Sequence, residues 1–150
     1  MIDDLSLEIL RILQEKARIP NVEVSRQIGL APSAVLERIR KMEKQGIIDG
    51  YEVRLNPKRF ASGLIAFVRV TVQEQPGQTE IGEQLAAVPE IQEVHYIAGE
   101  DCYLVKLRAA DADALGRLLR TRVHTIKGVV ATNTLPVLAT YKETARIPIP

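Results

Sequence analysis

Five polar or charged side chains recur at helical spacing between residues 33 and 44, and their chemistry suits a nucleic acid. These side chains are Ser33, Glu37, Arg40, Lys41 and Lys44. At 3.6 residues per turn, all five fall on one face of a helix. Arginine can donate two hydrogen bonds to guanine, whereas lysine beside a phosphate adds mainly salt-dependent affinity. This face therefore indicates DNA binding; the alternative is an ordinary helical hairpin with a solvated charged face.

A tight turn at Gly29 divides the stretch from Pro20 to Gly46 into two short helices. The first helix is expected to have Asn21 as its N-cap, because a short polar side chain can accept a backbone N–H there. Gly29 is expected to end this helix in the left-handed conformation. The apolar positions of this helix are Val22, Val24 and Ile28.

The second helix is expected to begin near Pro32, whose missing N–H costs nothing in a first helical turn. Val35, Ile39 and Met42 recur at i, i+4 and i+7, which predicts one buried stripe opposite the charged face. A short helix, a turn with glycine and a second helix with a basic outer face are typical of a helix-turn-helix DNA-binding motif.

The flanking segments complete a small domain over residues 1–60. Residues 3–17 predict a helix capped by Asp3, which would complete a three-helix core. The Asp49-Gly50 turn between short apolar-rich runs predicts a hairpin, the wing. Residues 58–63 are interpreted as a hinge, with the domain boundary near Ala61.

Residues 61–150 predict strands and helices in the order of a ferredoxin-like βαββαβ domain, so that the fold class is α+β. The strands are expected at 64–73, 91–98, 102–109 and 129–141, and the helices at 79–88 and 112–126. Alternation places Ala66, Val68, Val70 and Val72 on one face of the first strand. The inward face of the second helix is predicted to be Leu115, Leu119, Val123 and Ile126. The last strand is expected at a sheet edge, where Pro136 is tolerated.

Composition excludes several classes of protein. Net charge is only +1, yet residues 36–59 carry seven basic and four acidic side chains, which suits site-directed rather than non-specific DNA binding. A single cysteine cannot form an internal disulfide, and His95 and His124 lack metal-site spacing. No apolar run is long enough to span a bilayer, and the acidic N-terminus lacks a secretory signal. We expect a cytoplasmic protein with no membrane association, no metal and no cofactor.

Almost the whole chain, roughly residues 2 to 142, resembles the Lrp/AsnC (leucine-responsive, feast/famine) family of transcription regulators. The matching segments are IDDLSLEILRIL, ARIPNVEVSRQIGLAPSAVLERIRKMEKQGIIDGYEVRLNP, IAGEDCYLVKLR and GVVATNTLPVLATYK. The resemblance implies a regulator of double-stranded operator DNA with a winged helix-turn-helix and a ferredoxin-like sensing domain. It also implies homodimers paired through their sheets, tetramers or octamers built from them, and an amino acid or related metabolite as effector at contacts between dimers.

The DNA-binding half departs slightly from the family pattern. Arg38 is characteristic of the pattern, but helical spacing places it beside the buried stripe, which favours a structural or phosphate-binding role over base contact. The family often has serine where this chain has Ala31, and losing such a helix cap costs about 1 kcal/mol. Ser33 is a candidate substitute for that cap.

The sensing half departs from the family pattern more than the DNA-binding half does. The family often has glycine, two variable residues, aspartate and an aromatic, and here the run is Gly99-Glu100-Asp101-Cys102-Tyr103. A carboxylate at the position of Cys102 would pair with an effector's ammonium group. Three alternatives stay open: Asp101 or Glu100 replaces it, the ligand is not an ordinary amino acid, or there is none. Thr132 and Thr134 match the family's spaced threonines, although threonine is also a common strand residue. The resemblance thus implies an effector site of Gly99, Glu100, Asp101, Cys102, Thr132 and Thr134.

Two other functions are alternatives to DNA-binding regulation. Some decarboxylases of tetrapyrrole synthesis share the two-domain plan without binding DNA, but they should carry extra histidines and arginines in the sensing half. This chain has two histidines and retains Arg40, Lys41 and Lys44, so we do not expect an enzyme. A metabolite-binding or oligomerisation protein that does not bind DNA is the other alternative.

Overall fold

The computed structural model describes residues 1–100 and 102–150, and it divides the chain into two compact units. The first comprises Met1–Arg54 together with Lys142–Pro150, and the second comprises Leu55–Tyr141. The boundary that the sequence suggested near Ala61 lies inside the second unit. The final segment packs with the first unit although it follows the second along the chain.

Three helices build the first unit: α1 (Asp4–Glu15), α2 (Asn21–Ile28) and α3 (Pro32–Lys44). Asp3 caps α1 as expected, since its Oδ1 accepts the N–H of Ser6 at 2.8 Å. Gly29 ends α2 with a φ of +73°, also as expected. The stripe on α3 is buried, and the core of this unit consists of Ile9, Val24, Val35, Ile39 and Met42.

The start of α2 differs from the expectation. Asn21 is the first helical residue and not the N-cap, because the carbonyl of Pro20 already accepts the N–H groups of Glu23 at 2.9 Å and Val24 at 3.2 Å. Val22 is 65% exposed. Residues two apart lie on opposite sides of a helix, so the burial of Val24 directs Val22 to solvent.

The expected hairpin after α3 is not formed. Residues 45–56 all lie within the described part of the chain and contain no strand. Val53 is 84% exposed, and a lone two-stranded hairpin without an apolar face to bury is marginal in water. The Tyr51 hydroxyl instead donates to Oε1 of Glu43 at 2.9 Å, which ties this segment to α3.

The second unit carries a four-stranded antiparallel sheet in the order β2-β3-β1-β4, which confirms the ferredoxin-like topology. The strands are β1 (Leu64–Val72), β2 (Ile91–Ile97), β3 (Cys102–Ala109) and β4 (Val129–Pro136). The helices are α4 (Glu80–Ala86) and α5 (Ala112–Leu118). The four alternating residues of β1 are buried, as predicted, and they share one core with residues of α4 and α5.

The edge position of β4 is confirmed, with Pro136 opposite Ala66 of β1. This strand was predicted to run to residue 141, but it ends at Pro136. The N–H of Val137 still donates to the carbonyl of Ile65 at 2.8 Å. Because β1 begins at Leu64, the segment beyond this point has no neighbouring strand to pair with.

The helix expected over 112–126 changes geometry part-way. A π-helical turn, Leu119–Val123, follows α5, and the N–H of His124 donates to the carbonyl of Leu119 at 2.8 Å. A π turn contains more residues than an α turn and therefore shifts the inward face. Leu118, the last residue of α5, is buried beside Leu115, whereas Leu119 is only partly buried against the same core. Val123 and Ile126 are buried, as predicted.

Candidate functional site

The face of α3 opposite the buried stripe is exposed along its whole length. The exposed side chains on it are those predicted from spacing: Ser33, Glu37, Arg40, Lys41 and Lys44. Among the residues that the structure describes, the three cations of this face have no carboxylate partner. Their charges therefore point to solvent and are available to a polyanion.

Arg38 lies on the side of α3 and contacts the start of α1. Its Nη1 donates to Oδ1 of Asp3 at 2.9 Å, to Oδ2 of Asp3 at 2.7 Å and to Oγ of Ser6 at 3.1 Å. The hydrogen bond from Arg38 and the backbone N–H of Ser6 lower the pKa of the Asp3 carboxyl to about 2. The same carboxylate thus caps α1 and holds α3 against it. This contact agrees with the structural interpretation of Arg38, and sequence patterns missed it because 35 positions separate the partners.

The beginning of α3 presents backbone N–H groups. Ala31 occupies the N-cap position and, within the described residues, no side chain caps this helix, so Ser33 does not replace the missing serine. Pro32 follows at the first helical position. The first N–H groups of a helix carry partial positive charge and attract phosphate, so the uncapped end of α3 adds to the cationic face.

The turn between β2 and β3 contains three of the described candidate effector residues. Gly99 has a φ of +90°, and the N–H of Cys102 donates to the carbonyl of Glu100 at 2.8 Å. Cys102 is 2% exposed, with its Sγ 3.8 Å from Oε2 of Glu100. Nη1 of Arg69 lies 3.6 Å from the same carboxylate oxygen. Asp101 lies outside the described residues.

The two candidate threonines lie elsewhere on the sheet. Thr132 and Thr134 are opposite Val70 and Val68, so they share the helix-facing side, and Oγ1 of Thr132 is 2.8 Å from Nε2 of His124. Cys102 is opposite Thr71 and therefore belongs to the other face. With a strand spacing of about 4.8 Å, β1 separates Cys102 from β4 by about 10 Å. One copy of the chain does not bring the candidate effector residues together.

A groove on the helix-facing side, which sequence patterns did not indicate, lies next to the turn. It has a volume of about 640 Å³, and its walls include Glu74, Gly82, Tyr96 and Tyr103. The Tyr103 hydroxyl donates to Oε1 of Glu74 at 2.7 Å, and burial together with this carboxylate raises the pKa of Tyr103 to about 12. A Cβ on Gly82 would lie 2.9 Å from Cε1 of Tyr103, so glycine makes room for the ring.

The described residues offer no group of three or more His, Cys, Asp or Glu side chains that could hold a metal ion. Likewise, no helix in 1–100 or 102–150 combines the length and apolarity needed to cross a membrane.

Comparison with known families covers both units. Residues 2–49 match the winged helix-turn-helix DNA-binding family, and residues 65–147 match the Lrp/AsnC ligand binding domain. The chain belongs to the Lrp/AsnC family. The leucine-responsive regulatory protein of Salmonella typhimurium is 38% identical over 152 residues, covering 99% of this chain and 92% of that protein. The protein of the same name from Escherichia coli is 37% identical with the same coverage.

Solved structures of Lrp/AsnC regulators have the same architecture. A transcriptional regulator from Neisseria meningitidis, in complex with L-methionine, superposes with a TM-score of 0.92 at 30% identity, covering 99% of this chain and 97% of that one. A feast or famine regulatory protein from Mycobacterium tuberculosis, also complexed with L-methionine, gives 0.88 at 31% identity with full coverage of both chains. E. coli AsnC gives 0.89 at 27% identity, covering 100% of this chain and 99% of that one. This Lrp/AsnC protein is a DNA-binding transcriptional regulator.

Proposed function

We propose that this regulator inserts α3 into the major groove of an operator and that a homodimer presents two such helices to one duplex. The observation that carries the proposal is the exposed cationic face of α3, placed opposite a buried stripe. A helix-turn-helix reads bases with the N-terminal part of its second helix and contacts the backbone around it.

The side chains of α3 divide by the contact each can make. Arg40 can donate two hydrogen bonds to guanine, and Ser33 and Glu37 lie nearer the start of the helix, within reach of base edges or phosphates. Lys41 and Lys44 supply phosphate attraction. We assign Arg38 a positioning role, because its guanidinium is bound by Asp3 and Ser6. A phosphate contact from the same side chain would be accessory.

The helix-free face of the sheet supports homodimer formation. Phe67 is 37% exposed and lies opposite Leu135, which is 51% exposed, so the two side chains form an apolar patch on adjacent strands. Pairing two such faces would bury both patches, as in face-to-face sheet packing. We infer that tetramers or octamers are built from dimers of this kind.

We infer that an amino acid or related metabolite is the effector and that residues of more than one copy bind it. Two structurally similar family members bind L-methionine. In this chain Glu100 is near Arg69, and Thr132 lies on the other face of the sheet, so a second copy is needed to complete a site. The groove beside Tyr103 can accommodate an apolar side chain. We further infer that the protein is cytoplasmic and that it is not an enzyme.

The experiment measures fluorescence anisotropy of duplex DNA from upstream of the protein's own gene and of a shuffled duplex of equal composition. The wild-type protein should prefer the upstream DNA. Lys41→Ala/Lys44→Ala should weaken binding and reduce the slope of log K against log[salt] by about 2 per copy, since each phosphate contact contributes about 0.9.

The matched control is Lys16→Ala/Arg18→Ala, which removes the same charge from exposed positions of the first unit outside α3. It should bind like the wild type. Equal affinity of the wild type for the upstream and shuffled duplexes would contradict sequence-specific regulation at that locus. An equal loss in both double variants would contradict the role of α3.

A further inference from the structure

The segment Lys142–Pro150 follows the last strand of the second unit, yet it belongs to the first. Its main contact is with Gln14 of α1. The Gln14 side-chain amide donates from Nε2 to the carbonyl of Ile147 at 2.9 Å and accepts the N–H of Ile147 at Oε1 at 3.0 Å. One side chain thus satisfies both backbone groups of one residue, as a neighbouring strand would.

Two further contacts flank this pair of hydrogen bonds. Nη1 of Arg146 lies 2.8 Å from Oε1 of Glu15, and Nη2 of Arg11 donates to the carbonyl of Pro150. Arg11 precedes Gln14 and Glu15 by three and four positions, so all three lie on the face of α1 directed away from the buried Ile9. The contacts follow the segment from Arg146 to Pro150, and together they define one surface and its occupant.

The composition of the segment suits this surface. Isoleucine and proline alternate from Ile147 to Pro150, and proline favours an extended backbone both at its own position and at the residue before it. An extended, pre-organised peptide loses little conformational entropy when it docks. The backbone of Ile147 is therefore presented to Gln14 at low entropic cost.

We propose that Arg11, Gln14 and Glu15 form a peptide-docking surface on α1 whose occupant is the chain's own segment Arg146–Pro150. The chain enters the second unit after Arg54 and returns at Lys142. Docking therefore makes the second chain crossing, at Tyr141–Lys142, a short tether between the unit that contains β4 and the unit that contains α3. This tether limits the conformational freedom of the DNA-binding unit before DNA binds. Binding a duplex then costs less conformational entropy.

The first test measures hydrogen–deuterium exchange of the Ile147 amide in the full-length protein. In the wild type this amide should exchange about tenfold more slowly than in an unstructured peptide, because the side-chain Oε1 of Gln14 accepts its hydrogen bond. Gln14→Ala should abolish that protection. The control Lys142→Glu changes the charge of the same segment at an exposed residue outside the contacts and should leave it intact. An unprotected Ile147 amide in the wild type would overturn the proposal.

The second test measures DNA affinity, and this part rests on the proposed function. Gln14→Ala and deletion of residues 143–150 should each weaken operator binding by about three- to tenfold through the added freedom of the DNA-binding unit. Unchanged affinity in both variants would overturn the coupling. If no protein binds the duplex, the proposed function fails, while amide exchange still decides whether the segment docks.

Discussion

Replacing Arg40 by alanine should separate DNA recognition from folding. Arg40 is exposed on α3, opposite the core of the first unit, so its loss should change the free energy of unfolding by no more than about 0.5 kcal/mol. If the guanidinium donates two hydrogen bonds to a guanine, its loss should cost about 1–3 kcal/mol of operator affinity, which is about 5- to 150-fold in Kd.

The assay is an anisotropy titration of the operator and of duplexes in which single G·C pairs are replaced by A·T. At the base pair that Arg40 contacts, replacing G·C by A·T should greatly reduce the affinity of the wild-type protein. The same replacement should change the affinity of Arg40→Ala little. Thermal unfolding followed by circular dichroism checks the fold. Arg18→Ala, an exposed arginine in the same unit outside α3, is the matched control and should leave both affinity and discrimination unchanged.

Two results would refute the reasoning about Arg40. Undiminished operator affinity in Arg40→Ala would show that this side chain does not contact DNA. An equal loss of affinity for operator and shuffled duplexes, with a smaller salt slope, would show that Arg40 contacts phosphate and not a base.

Three further predictions concern the remaining contacts. The pKa of Asp3 is lowered to about 2 in the folded state, so its contribution to stability is present above the ordinary value of 3.8 and is lost as pH falls toward 2. Acid titrations followed by circular dichroism should therefore show a smaller loss of stability between pH 4 and 2 in Arg38→Met than in the wild type. Gly99→Val should abolish any effector-dependent change in DNA affinity or assembly, because valine is strained at a φ of +90°; an unaltered response would exclude this turn. Ultraviolet titration should show Tyr103 ionising near pH 12, and Glu74→Gln should lower that pKa because the carboxylate that disfavours the phenolate is removed.

Short-range patterns were sufficient for most of the helices and strands. The burial of Val35, Ile39 and Met42 on α3 and the alternation along β1 both follow from a repeat of about four or two residues, which the chain shows directly. The exposed face of α3 follows from the same periodicity. The sequence alone therefore indicates the candidate DNA-binding residues, whereas their contacts with DNA stay predictions.

The errors arose where a local pattern competes with a contact made elsewhere. The Asp49-Gly50 turn favours a hairpin, but Ile48 packs on the helical core, the Tyr51 hydroxyl binds Glu43, and Val53 and Leu55 stay exposed. The repeat of Leu115 and Leu119 favours one continuous helix, but α5 ends at Leu118, which is buried, and a π turn follows from Leu119. In both places the local propensity is weak, and tertiary contacts override it.

The sequence by itself determined the two kinds of unit, the cationic face of α3 and the family, because each depends on residue type and short-range spacing. Only the tertiary structure showed that Arg38 binds Asp3, that Ile147 binds Gln14, and that Thr132 and Cys102 lie on opposite faces of one sheet. Such pairings join positions far apart in the chain. Their energy depends on three-dimensional proximity, which leaves no periodic signal in the sequence.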